Sequence, residues 1–163
     1  MEIKIDIKKK LGCLSTRKSG WSKEVNIVSW NEGLAKYDIR EWSPDHRRMS
    51  KGFTAKEREM YVYASSYAKW IALGRPLLER PIKFVKERTQ EVARILANIG
   101  AVEFPDGATA ELNFVSWNGD EPKFDLRYWS PNRSSASCGV RLSEKEAETL
   151  FRLYDECEKG VAE

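Results

Sequence analysis

No apolar run in the 163-residue chain approaches the ~18 residues that a membrane-spanning helix needs. The opening stretch, MEIKIDIKKK, alternates apolar and polar residues. It lacks the apolar core of a signal peptide and reads as the start of a strand. Histidine is nearly absent, with His46 alone. The three cysteines, Cys13, Cys138 and Cys157, form no CxxC pair, and with His46 they show no zinc spacing. No metal, cofactor or catalytic residue is therefore expected. There is no nucleophile–histidine–acid set, and Asp38 and Asp125 are far apart in sequence, so the chain is expected not to be an enzyme. Three is an odd number for a disulfide framework, so a reducing, cytoplasmic setting is expected.

What is present points to a folded protein. Hydrophobic residues make up 41% and charged residues 33%. Net charge is only +3, but it is unevenly spread. Residues 143–163 hold seven acids and three bases, a balance of −4, which leaves +7 on the remainder. A basic side opposite an acidic helix favours a polyanion partner. An ordinary solvated acidic helix is the plainer alternative.

The chain repeats itself. VNIVSWNEGLAKYDIREWSP (25–44) aligns without a gap on LNFVSWNGDEPKFDLRYWSP (112–131), with eleven of twenty positions identical. Gly52, Glu57 and Glu59 fall in register on Gly139, Glu144 and Glu146. Duplication at a spacing of 87 residues is the reading. In each copy two alternating strands are joined by an Asn/Gly turn and ended by Ser-Pro. A short strand near 50–53 or 137–140 should follow. Capping boxes at Thr54-x-x-Glu57 and Ser143-x-x-Glu146 should then start a helix. A leader strand over Ile3–Leu14 precedes copy one. Its short equivalent in copy two turns at Pro105-Asp106-Gly107. Between the copies, Ile82, Val85, Thr89, Val92, Leu96 and Ile99 take helical spacing and predict a connector helix. The fold class is thus α+β: two antiparallel four-stranded sheets, each followed by a helix, plus the connector helix. The divisions are 1–75, 76–100 and 101–163, with the two repeats forming an intramolecular pseudo-dimer.

The copies differ in an ordered way. On one face of the second repeated strand, Lys36, Asp38, Arg40 and Trp42 are matched identically by Lys123, Asp125, Arg127 and Trp129. On the preceding strand Asn26, Val28 and Trp30 match Asn113, Val115 and Trp117. The other face exchanges apolar residues, as cores do. The preserved face is too charged for an ordinary core. Read as exposed, it suits single-stranded nucleic acid: bases stack on tryptophan, and lysine and arginine meet phosphates. Each aspartate is expected to orient its neighbouring cation. Any one tryptophan could equally pack under a loop or helix.

The stretch YDIREWSPD…MSKGFTAKERE resembles the positive cofactor four family of single-stranded-DNA-binding transcriptional coactivators, and its small bacterial relatives in particular. Ile39-Arg40-Glu41, Trp42 and Lys51-Gly52-Phe53 carry the likeness. VSWN and DIREWSPDH, residues 28–31 and 38–46, match the bacterial forms. Copy two departs from the pattern where Cys138 stands in the place of Lys51. The resemblance implies four-stranded sheets that bind DNA as two-fold dimers. It implies contacts from Arg40, Trp42, Lys51, Arg127 and Trp129. With the preserved face, the expected binding set is Asn26, Trp30, Lys36, Arg40, Trp42, Lys51, Asn113, Trp117, Lys123, Arg127 and Trp129. The expected function is weakly sequence-specific DNA binding in transcription, replication or repair, nucleoid-associated, with transcription machinery as a partner. The protein would be a monomeric pseudo-dimer or a homodimer. Single-stranded RNA binding, or a protein-interaction module using the same face, are the alternatives.

Overall fold

The computed structural model describes residues 2–160. Nine strands and two α-helices follow the order β1 (Ile5–Thr16), β2 (Ser22–Trp30), β3 (Lys36–Trp42), β4 (Phe53–Ala55), α1 (Glu57–Ala72), β5 (Ile82–Lys86), β6 (Glu91–Glu103), β7 (Thr109–Trp117), β8 (Lys123–Trp129), β9 (Val140–Leu142) and α2 (Glu144–Glu158). Two antiparallel sheets result, β1-β2-β3-β4 and β5-β6-β7-β8-β9. The α+β class and the antiparallel sheets match expectation; the second sheet has five strands where four were expected.

The connector helix does not form. Residues 82–99 lie in the hairpin of β5 and most of β6, closed by a turn in which Gln90 takes φ 60° and its N–H bonds Lys86 C=O at 2.7 Å. The helical spacing is coincidental: Ile82 and Val85 lie on opposite faces of β5, Thr89 sits in the turn, and bulges between Ile95 and Ala97 and between Asn98 and Gly100 shift the period-two alternation only at Leu96 and Ile99. β6 is the counterpart of β1. Its pairs Ile95↔Val115, Asn98↔Asn113 and Gly100↔Leu112 repeat Ile7↔Val28, Lys10↔Asn26 and Gly12↔Val25 at a spacing of 88 on the outer strand and 87 on the inner one. A third bulge in β1, between Cys13 and Ser15, has no equivalent in β6, and that residue is the difference. β5 is the element without a counterpart.

The chain divides into two compact units. The first gathers β1–β4 with α2. The second gathers β5–β9 with α1 from Tyr61 onward. Each copy's helix therefore belongs with the other copy's sheet. In the first unit Tyr37 stacks on Tyr154 with ring centroids 5.4 Å apart; in the second, Phe124 meets Tyr67 at 5.5 Å. Tyr37 and Phe124 are equivalent positions, as are Tyr67 and Tyr154. The close approach is also repeated. A Cβ on Gly12 would lie 2.7 Å from Leu153 of α2, and one on Gly100 would lie 2.7 Å from Ser66 of α1. Ser66 and Leu153 are again equivalent.

The exchanged residues of β3 and β8 do face this core. Tyr37, Ile39, Phe124 and Leu126 are buried, as are Leu150, Phe151 and Tyr154 of α2. Burial, reinforced by a hydrogen bond to Glu158, raises the Tyr37 hydroxyl pKa well above the usual tyrosine range. The cap of α1 lies later than Thr54 predicts. Thr54 sits in β4, and the Lys56 N–H is accepted by the Glu59 carboxylate at 2.9 Å.

Candidate nucleic-acid interface

β2–β3 and β7–β8 pair in the same register. Asn26↔Asp38 and Glu24↔Arg40 in the first sheet are repeated by Asn113↔Asp125 and Glu111↔Arg127 in the second. Direct pairing puts these side chains on one face, the face turned away from the helix. The predicted site residues are therefore brought together within each unit. Their exposure is not as expected.

Asn26, Arg40, Trp42, Asn113, Trp117, Arg127 and Trp129 are buried, Asp38 and Asp125 completely so. Trp30 and Lys36 are half-buried, and only Lys51 and Lys123 are exposed. The open cationic and aromatic platform is thus corrected to a largely covered one. The physical reason is pairing. Arg40 Nε and Nη2 donate to Asp38 Oδ1 and Oδ2 at 2.6 and 2.8 Å, and Nη1 reaches Ser50 C=O at 3.2 Å. Arg127 repeats this with Asp125 at 2.6 and 2.8 Å and with Ser137 C=O at 2.9 Å. The same Oδ2 also accepts an indole N–H, from Trp30 in the first unit and from Trp117 in the second, at 3.1 Å in both. Each guanidinium also lies over that indole, at 4.6 and 4.8 Å. A bidentate, hydrogen-bonded ion pair can be buried where an isolated charge cannot.

The loop after each second strand closes over the arginine, and this was missed in the sequence. Ser50 Oγ accepts Glu41 N–H and Ser137 Oγ accepts Tyr128 N–H, both at 3.0 Å. Gly52 lets the chain pass directly over Arg40; a Cβ there would lie 2.6 Å from Arg40 Cβ and would also clash with Ile39 C=O. Gly139 is equally tight against Arg127 Cβ and Leu126 C=O. Glu24 and Glu111 were missed as well. Glu111 accepts from Thr109, Asn98, Asn113 and Arg133, and Glu24 receives Ser22, Asn26 and His46. His46 and Arg133 thus make the same bond from the same loop. Ser50, Gly52 and Glu24 all have identical partners 87 residues on, so the signal for them was present.

The two faces differ in what covers them. In the second unit, Phe84 of β5 meets Trp129 of β8 edge-on, with ring centroids 5.0 Å apart. β5 and β8 are first and fourth in the sheet, roughly 14 Å apart if it were flat. The sheet must coil to bring them together. Phe84, Ala93, Ile95, Val115, Trp117 and Trp129 then form one apolar cluster. Glu91 bonds Arg141 at 3.1 Å, and Arg141 lies 4.2 Å over Trp117. That bond to Arg141 holds the Glu91 carboxyl below its ordinary value. Trp42 and Trp129 are both packed as apolar bodies, and neither Nε1 has a hydrogen-bond partner among the described residues.

Among the described residues of the first unit, no strand takes the place of β5. Trp30 stays half-buried where Trp117 is closed in, and Ile5, Lys10 and Cys13 of β1 are exposed on the same face. Arg48 extends over Trp21 at 5.4 Å beside it.

Comparison with known proteins adds little identity. No family model matches the chain. An uncharacterized protein of Treponema pallidum (strain Nichols) is 46% identical over 55 residues, 34% of this chain. The chain spans 65% of that relative's length, which is therefore about 85 residues, room for one copy rather than two.

Proposed function

We propose that this protein binds single-stranded DNA with little sequence preference, and that copy one supplies the binding face. The observation that carries the reading is the unequal cover of two otherwise matching faces. Copy one leaves Trp30, Lys36 and Lys10 accessible, with Lys51 exposed on the adjoining loop. Trp30 offers a stacking surface and the lysines offer phosphate contacts. The Asp38–Arg40 pair then acts behind the surface, holding the Trp30 ring in place through its N–H and its face. In copy two the equivalent indole lies under β5, so Lys123 is the accessible remnant. Trp42, Trp129, Arg40 and Arg127 are assigned here to building the platform and not to touching DNA.

The exchange of helices supports the further reading that the chain is an intramolecular pseudo-dimer, since each unit needs both copies. Joining them covalently removes the concentration dependence of assembly. A role in transcription, replication or repair follows from this ligand class and from the likeness to the coactivator family.

The test is titration of a labelled oligo-dT against the whole protein at several salt concentrations. Binding should quench tryptophan fluorescence and weaken steeply with salt. Trp30→Ala should weaken it by ~1–3 kcal/mol, the range for one stacked base. Trp129→Ala should leave affinity unchanged in protein that remains folded. Absence of both quenching and salt-dependent binding refutes the proposal. A matched RNA competitor separates the two nucleic acids.

A further inference from the structure

Among the described residues, no strand pairs with the outer edge of β1 along the stretch that β5 covers in the other unit. β5 pairs Ile82, Phe84 and Lys86 with Ile95, Ala93 and Glu91 of β6. At the spacing of 88, those β6 positions correspond to Ile7, Ile5 and Ile3. Ile3 is 61% exposed and Ile5 36% exposed, whereas Ala93 and Ile95 are fully buried. Unpaired edges with exposed apolar residues recruit further strands. Beyond Lys8, β1 is protected by Lys9 and Lys10 and by its later bulges, so the segment up to Lys8 is the open one.

We propose that this edge pairs with the same edge of a second copy of the chain, antiparallel, about a two-fold axis through Ile5. The sequence EIKIDIK, residues 2–8, is complementary to its own reverse. About that axis Ile5 faces Ile5 and Ile3 faces Ile7. Lys4 faces Asp6, and Glu2 faces Lys8. Every charged residue meets the opposite sign and every isoleucine meets an isoleucine. A shift by one residue in the pairing sum destroys the match.

The backbone agrees with this register. Asn31 N–H donates to Lys4 C=O at 2.8 Å, and Lys4 N–H donates to Asn31 Oδ1 at 3.0 Å. Lys4 therefore turns its polar groups toward β2. By alternation, Ile3, Ile5 and Ile7 turn theirs outward, which makes Ile5–Ile5 and Ile3–Ile7 the hydrogen-bonded pairs. The ion pairs now made by Lys4 with Glu32 (2.9 Å) and by Lys8 with Asp6 (2.7 Å) are well exposed, hence weak and free to exchange. The interface is isologous, so it closes at two copies. It is also small, which places it among concentration-dependent contacts.

Sedimentation of the full chain over a concentration series tests this. The mass should rise from 18.8 kDa toward twice that value. Lys4→Asp places like charges opposite each other at two symmetric positions and should weaken association roughly tenfold. Adding Asp6→Lys to that variant restores opposite charges and should restore the dimer. Ile5→Pro removes an outward N–H, leaves the β2 ladder intact, and should abolish association with an unchanged circular dichroism spectrum. A single 18.8 kDa species throughout overturns the proposal. So does a dimer that survives both Lys4→Asp and Ile5→Pro, or a double charge swap that stays monomeric.

Discussion

Asp125 and Arg127 are each at most 2% exposed and face each other within one strand. Their value to the fold is asymmetric. Removing one partner leaves a buried charge unpaired, which costs ~3–5 kcal/mol, while removing both together costs much less. Arg127→Met should therefore destabilise the protein strongly in urea unfolding, and Asp125→Asn added to it should recover part of the loss. Simple additivity of the two single effects would show that the pair is not coupled. Identity between the copies at these positions was legible in the sequence. Its cause was not. Exposed binding residues and a buried polar interlock leave the same trace, because both forbid substitution. Gly52 and Gly139 tip the balance, since a glycine held in both copies signals a backbone passing close over something. Here that something is the arginine.

At the level of elements, the strands of the repeat were readable and β5–β6 were not. Ile82, Val85, Val92, Ile95 and Ile99 are β-branched, a strand signal. Their helical spacing came from counting through a hairpin turn, with the bulges of β6 displacing only Leu96 and Ile99. Only the register of β1, itself bulged, could have corrected this. The Glu91–Arg141 bond ties the start of β6 to β9, at the far side of the sheet. It also gives an acid-side signature. The Glu91 carboxyl titrates below its ordinary value of 4.5 because Arg141 bonds its charged form. A carboxyl depressed in the folded state contributes stability that is complete above 4.5 and is lost as pH falls through the lower, folded value. The melting temperature should therefore drop more steeply in the wild type than in Glu91→Gln as pH falls below 4.5. Parallel curves would mean that the bond contributes nothing measurable.

At the level of the molecule, the sequence carries a repeated pattern of strands and helix but does not tell which helix serves which sheet. Both helices present similar apolar faces, and both sheets exchange apolar residues on the side that receives them. Nothing in the pattern distinguishes self from exchange. Only the contacts do, as at Tyr37 with Tyr154 and at Phe124 with Tyr67.

The exchange has a mechanical consequence. The segment after α1, around Leu77 and Leu78, is exposed. A protease site placed between them would cut the chain into two pieces, yet each unit contains residues from both sides of that cut. The pieces should stay together like two links of a chain. Native mass should read as intact, with two bands only after denaturation. Pieces that drift apart without denaturant would mean that each half carries a self-sufficient fold. A nick in this protein should therefore be silent until it unfolds.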